Sequence, residues 1–339
     1  MSIGIDTALN KHSTAISGGR IMFRSIAHRT RLALAVTTAA MLPLAASPAV
    51  QAADQDKKAD SDLVIGMSFQ ELNNAYFVTM QDALKKAVND MGAQLIVTDA
   101  RHDVSKQVSD VEDMLQRGVD ILLLNPTDSV GVQSAVMSAS DAEVPVVAVD
   151  AQAEGPITSF VGSKNRDAGY QACHYLAESL DGKGKVAILD GIPVVPILQR
   201  VEGCQAALKE YSGISVVDKQ NGHQERAQAM SVTENMLQAH PDLAGLFSVN
   251  DIGSLGALTA IRSSGGDVKL VSVDGNPEAV SEIAKKGSPF IATSAQHPRE
   301  MVTKALEVAV DSYHGKDVPK TVPIDVELIT QENADSFHW

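Results

Sequence analysis

Cysteine is almost absent. Two occur in 339 residues, Cys173 and Cys204, which excludes a disulfide framework and a cysteine-rich zinc centre. Basic residues are also short: 28 Lys and Arg stand against 42 Asp and Glu, for a net charge of −14. A nucleic-acid partner is excluded on that ground, because phosphate binding needs a basic face. Aromatic residues make up only 4% of the chain, so any aromatic placed beside a cleft carries weight. No Gly-x-Ser-x-Gly elbow, phosphate loop, His-Glu-x-x-His pair or Gly-x-Gly-x-x-Gly turn occurs, so no enzyme class announces itself. The histidines are scattered, and neither a metal nor a cofactor is expected.

What is present begins with an address. Arg24, Arg29 and Arg31 precede an uncharged, mostly apolar run from Leu32 to Leu44, and Val50-Gln51-Ala52 supplies a small-x-small cleavage pattern. This is the layout of a secretory signal peptide. A membrane anchor is the rival reading, but the run is shorter than the roughly 20 residues a span requires. Residues 1–52 are therefore set apart as signal peptide and upstream extension, with Met1 and Met22 both open as the start. Their removal takes away five positive charges and one negative, leaving about −18 from −14. No cysteine lies near the cleavage region, so the mature protein is expected free in the periplasm.

From Leu63 onward, short apolar runs alternate with amphipathic stretches. Leu63–Phe69, Gln94–Asp99, Ile121–Leu124 and Val146–Val149 read as strands. Helices are expected around Phe77, Met80, Leu84, Val88 and Met91, then around Val104 to Leu115, then over Ser129–Ala142. Strands this apolar belong in a parallel sheet covered on both faces.

The pattern repeats. Leu122-Leu123-Leu124-Asn125 is followed 25 positions later by Val147-Ala148-Val149-Asp150. Phe247-Ser248-Val249-Asn250 is followed 24 positions later by Val271-Ser272-Val273-Asp274. Two copies of one α/β unit account for this echo. Ligands of parallel sheets bind beyond the carboxyl ends of strands. Asn125, Asp150, Asn250 and Asp274 sit at such ends and are expected to converge on a cleft between two lobes.

An ordered set of segments then resembles one family. Leu72-Asn73-Asn74-Ala75-Tyr76-Phe77, Asn125-Pro126-Thr127-Asp128, Asp150, Arg200-Val201-Glu202-Gly203, Ala239-His240-Pro241-Asp242, Asn250-Asp251, Leu255-Gly256-Ala257-Leu258, Asp274-Gly275-Asn276-Pro277 and Gln296 are similar to the ribose-binding branch of the type I periplasmic binding proteins. These are the solute receptors of ABC importers, and the likeness covers about 62–330. It implies an α/β fold of two doubly wound parallel-sheet lobes joined by a three-segment hinge. Lobe one is expected over 62–163 plus 297–325, and lobe two over 164–296 plus 326–339, with crossings near Ser163, Gln296 and Asp325.

The resemblance also implies the function. A small polyhydroxylated ligand (sugar, polyol or cyclitol) is bound by hinge closure and handed to a membrane permease and its ATPase. No catalysis is expected, and a monomer is. The alternative is a receptor of the same fold serving chemotaxis or autoinducer signalling. By family position Asn74, Asp150, Arg200, Asn250, Asp274 and Gln296 bind hydroxyls, while Tyr76 and Phe77 stack on the ring. Carboxylates accept hydroxyl protons, amides donate and accept, and rings cover C–H faces.

Several of these residues have a second reading. Asn74 is also placed to cap the helix of Phe77, the aspartates to cap turns, and Phe77 to pack in the core. Arg200 is read at a helix start, where a cation needs an anionic partner or ligand. Asp251 is kept out of the binding set. Two departures leave the solute open: the family's Asp-Arg pair reads Asp150-Ala151, and Gln224 stands where an aromatic is common. Gln152 or Gln224 is a candidate substitute donor. Cys173 and Cys204 fall on the apolar stripes of the first two helices of lobe two. They are either two buried thiols or, as an oxidising compartment favours, a disulfide.

Overall fold

In the computed structural model, which describes residues 57–339, the apolar runs pair into two six-stranded sheets. The proposed signal peptide lies outside the described residues. The first sheet is built from β1 (Val64–Phe69), β2 (Gln94–Asp99), β3 (Ile121–Leu124), β4 (Val146–Val149), β5 (Ser159–Ser163) and the late strand β11 (Thr321–Ile324). Its spatial order is β2-β1-β3-β4-β5-β11, and every pair is parallel.

The second sheet uses β6 (Lys183–Asp190), β7 (Gly213–Asn221), β8 (Leu243–Ser248), β9 (Lys269–Asp274), β10 (Phe290–Ala295) and β12 (Glu327–Thr330). The order β7-β6-β8-β9-β10-β12 repeats the first, so the echo in the sequence is an echo in topology. One detail differs: β12 pairs antiparallel with β10.

Alternation along each strand decides which face a side chain covers. In β1, Ile65, Met67 and Phe69 pack with Met80 and Leu84 of α1 (Ala75–Met91) and with Met301 and Ala305 of α9 (Pro298–Tyr313). On the opposite face Leu122 and Leu124 meet α2 (Val104–Gln116) and α3 (Gln133–Asp141) through Val111, Met114 and Val136. The second sheet is covered likewise. On one face lie α4 (Asn165–Ser179) and α5 (Val195–Lys209). On the other lie α6 (Arg226–Ala239), α7 (Asp251–Ser264) and α8 (Pro277–Ile283). Burial on both faces is why the strands read as continuous apolar runs.

Two sequence boundaries move. The helix expected from Ser129 begins at Gln133, because Asp128 Oδ1 accepts from the Val130 and Gly131 amides and holds Ser129–Val132 as a turn. Arg200 does not begin its helix. Pro196 sits in the first turn of α5, which places Arg200 in the second turn, beyond the strongest reach of the helix terminus.

α4 and α5 cross in very close contact. A Cβ on Gly169 would collide with the Arg200 carbonyl, and one on Gly203 with that of Arg166. This approach brings the buried Cys173 and Cys204 to a Cα separation of 4.9 Å, and they form a disulfide. Among the described residues no helix is long and apolar enough to cross a membrane.

Candidate ligand-binding site

The carboxyl ends of β4 and β9 carry Asp150 and Asp274, both with positive φ (67° and 139°). Such backbone conformations are costly for a residue with a side chain and concentrate at functional sites. Both residues line a cavity of about 710 Å³ bordered from both sheets, a size typical of small-molecule sites. Of the residues singled out by sequence, Asn74, Tyr76, Phe77, Asp150, Arg200, Gln224, Asn250, Asp274 and Gln296 line it.

Two do not. Gln152 is exposed and outside the lining, because the chain turns at Asp150 and gives the cavity Ala151 instead. Asn125 is fully buried behind the site. Its amide donates to the Val149 carbonyl at 3.2 Å and its oxygen accepts from the Gln70 amide at 3.2 Å, so it braces the two strand tips beside it.

The second lobe presents a connected network. Arg200 Nη1 donates to Asp274 Oδ1 at 2.9 Å and to the Val249 carbonyl at 2.8 Å. Its Nε donates to Asn165 Oδ1 at 2.8 Å. Gln296 Nε2 donates to the same Asp274 oxygen at 2.8 Å. The Asp274 carboxyl is raised above the usual range chiefly by burial, with the Arg200 charge pulling the other way.

Asp251 lies just behind, fully buried. It accepts from the Thr293 hydroxyl at 2.8 Å and the Asn276 amide at 2.7 Å. It tethers the loop after β9 and does not line the cavity. Burial and the nearby Asp274 charge both push its carboxyl up.

The first lobe is sparser. Asp150 accepts from the Tyr76 hydroxyl at 3.0 Å. It is half-buried, and its open side faces the cavity. Burial raises its carboxyl to about 6, against the opposing influence of Arg200 and of the Tyr76 hydroxyl. Tyr76 is itself pushed well above the ordinary tyrosine range by burial and by the Asp150 and Asp274 charges, so it remains a donor. Phe77 is only 4% exposed, packed in the core of the first lobe while reaching the cavity wall.

Asn74 and Asn250 each do two things. Asn74 Oδ1 caps α1 by accepting from the Tyr76 amide at 3.0 Å, and Asn250 Oδ1 caps α7 by accepting from the Gly253 amide at 3.1 Å. In each case the carboxamide NH₂ is left to the cavity. Gln224 spends its oxygen on the Ile192 amide at 3.2 Å.

At the mouth His102 Nε2 lies 2.9 Å from Glu71 Oε2. That hydrogen bond, more than the fields of Asp99 and Glu225, raises the imidazole above its usual range. Sequence reasoning passed over Asn165, which orients Arg200 from 35 positions away. A polar residue opening a helix gives no sign of so distant a partner.

A cavity between two like lobes, edged by carboxylates, carboxamides, the guanidinium groups of Arg200 and Arg226 and the Tyr76 phenol, is built to receive hydroxyl groups. Comparison with known proteins agrees. The family model described as a periplasmic binding protein domain matches residues 65–317. The chain belongs to the periplasmic binding protein family.

Among relatives, the ribose import binding protein of Bacillus subtilis (strain 168) is 40% identical over 280 residues, covering 80% of this chain and 88% of that one. The xylitol-binding protein of Mycolicibacterium smegmatis is 32% identical over 296 residues, covering 83% and 81%. Among solved structures, an ABC transporter solute-binding protein of Bacillus halodurans C-125 with bound myo-inositol superposes with a TM-score of 0.76 at 29% identity, covering 82% of this chain and 98% of that one. This periplasmic binding protein therefore shares its fold with receptors for a pentose, an acyclic polyol and a cyclitol.

Proposed function

We propose that this protein is the solute-binding component of an ABC importer that takes a small, uncharged polyol or sugar between its lobes. The observation that carries the reading is the placement of Asp150 and Asp274, one from each sheet, in a single cavity with Arg200 and Tyr76. Each carboxylate has lone pairs facing that cavity, and a hydroxylated solute supplies the missing donors. Lobe one (62–163 plus 297–325) and lobe two (164–296 plus 326–339) close on the solute about the crossings near Ser163, Gln296 and Asp325. At that hinge the Lys164 amide donates to the Ile324 carbonyl at 2.9 Å, tying two crossings together.

The mature chain, freed of its signal peptide, acts as a monomer in the periplasm. It presents the closed form to a membrane permease and its ATPase, and carries out no chemistry on the solute. Asn74, Asn250 and Gln296 donate to ring or chain hydroxyls, and Tyr76 and Phe77 cover a C–H face.

Thermal unfolding of the mature chain against D-ribose, xylitol and myo-inositol tests this. A ligand present at 100 times its Kd stabilises by about 2.7 kcal/mol, which is readily seen as a rise in Tm. At least one of the three should raise Tm in the parent and fail to do so in Asp274→Ala. No shift with any of them, or an equal shift in the variant, contradicts the reading.

A further inference from the structure

The end of the chain returns to the cleft. After β12, Ala334 and Phe337 pack on the core of the second lobe. Two residues later Trp339 packs against the core of the first. The tail thus passes from one lobe to the other within three residues, in addition to the covalent crossings.

Its contacts lie directly behind the two aspartates. Trp339 Nε1 donates to the Asp274 carbonyl at 3.1 Å, an oxygen that also accepts from the Gln296 amide at 2.9 Å. The indole meets the Tyr76 ring edge-on, with centroids 5.6 Å apart, and Tyr76 is the donor to Asp150. Arg299 of α9 donates from Nε to the Trp339 carbonyl at 2.8 Å, fixing the tail to the first lobe. The strand tip has room for it because residue 275 is glycine. Gly275 has φ +83°, and a Cβ there would stand 3.0 Å from Trp339 Nε1 and 3.1 Å from the Phe337 ring.

We propose that Phe337–Trp339 is a non-covalent strap between the lobes. Trp339 is its positioning residue and biases the apo protein toward the arrangement in which Asp150 and Asp274 share one cavity. Opening the hinge must break either the bond to the Asp274 carbonyl or the contacts with Tyr76 and Arg299. An aromatic pair and a hydrogen bond together weight such an equilibrium by about tenfold, and apparent affinity scales with the competent fraction. The proposal rests on the cleft being the solute site and adds what sets its readiness.

The test needs no ligand. Spin labels at Val130→Cys and Leu198→Cys, both exposed and on different lobes, report the distance between the lobes in the mature apo protein by pulsed dipolar spectroscopy. The parent should show one dominant distance. Trp339→Ala should add a longer-distance population, and Trp339→Phe, which keeps a ring against Tyr76 but loses the indole N–H, should fall between. Identical distributions in all three overturn the strap. If Trp339→Ala does not fold, Trp339→Phe decides alone: a longer-distance population supports the strap and identity with the parent overturns it. Failure of D-ribose, xylitol and myo-inositol to bind the parent would refute the solute reading while leaving this result to stand by itself.

Discussion

The two lobes repeat one strand order and end their matching strands in aspartate, yet they equip that aspartate differently. Asp274 is met by a guanidinium and a carboxamide, within a lobe stapled by Cys173–Cys204. Asp150 has a phenol for a donor and, among the described residues, no ion-pair partner such as Asp274 has in Arg200. The second lobe therefore offers a pre-ordered surface, its carboxylate already oriented for the solute's hydroxyls. The first offers a carboxylate whose remaining lone pairs await the solute. Such an asymmetry suits a receptor, since preorganisation on one side lowers the ordering cost of binding and need on the other side rewards closure.

Removing Arg200 should break this contrast most severely. Arg200→Met leaves Asp274 buried beside Asp251 without a counter-charge. Loss of one partner of a buried ion pair typically costs about 3–5 kcal/mol. Urea unfolding should register a loss of that order, and calorimetry should find no polyol binding. A stability within 1 kcal/mol or so of the parent would show that the second lobe is not organised around this pair.

The staple comes next. Cys173→Ala/Cys204→Ala opens a loop with a sequence separation of 31, worth roughly 3.7 kcal/mol. Solute affinity should hold, because neither cysteine lines the cavity. A change in affinity larger than the experimental error would mean that the brace reaches the site.

On the first lobe the expected effects are smaller and partly opposite in sign. Asp150→Asn removes a charge-assisted acceptor worth about 1.5–3 kcal/mol to a bound hydroxyl, so polyol affinity should drop 10- to 100-fold. Apo stability at neutral pH should hold or rise, since an under-partnered buried charge has gone. A fall in apo stability as large as that of Arg200→Met would make Asp150 a structural residue.

Acidity sharpens the same point most gently. With the Asp150 carboxyl raised to about 6 in the folded apo protein, its contribution to stability is present below the ordinary aspartate range. It is lost as pH rises through about 6. Binding runs the other way, because solute hydroxyls donate to the ionised form. Affinity should climb between about pH 4 and 6 and then level off, and this rise should be absent in Asp150→Asn.

Much of this architecture is legible in residue order, for a physical reason. Strands buried on both faces must be apolar throughout, so Ile121–Leu124 and Val146–Val149 stand out unaided. The matched spacing of the two aspartates then points to one cleft. Local geometry and long-range contact are less visible. Gln152, a candidate donor by sequence, is exposed and outside the cavity lining, which takes Ala151 instead. Arg200 owes its orientation to Asn165 and its charge balance to Asp274, 74 positions away. Trp339 reaches Asp274 across 65. No periodicity encodes such meetings; only the folded crossings of the chain create them.

The central claim is that one solute bridges both aspartates. Its most direct test is a crystal structure with whichever of D-ribose, xylitol or myo-inositol raises Tm most. The account predicts hydroxyl groups within hydrogen-bond distance of Asp150 and Asp274 at once, with the lobes closed over them. A solute held by one lobe alone, or lodged outside the cavity, would contradict it.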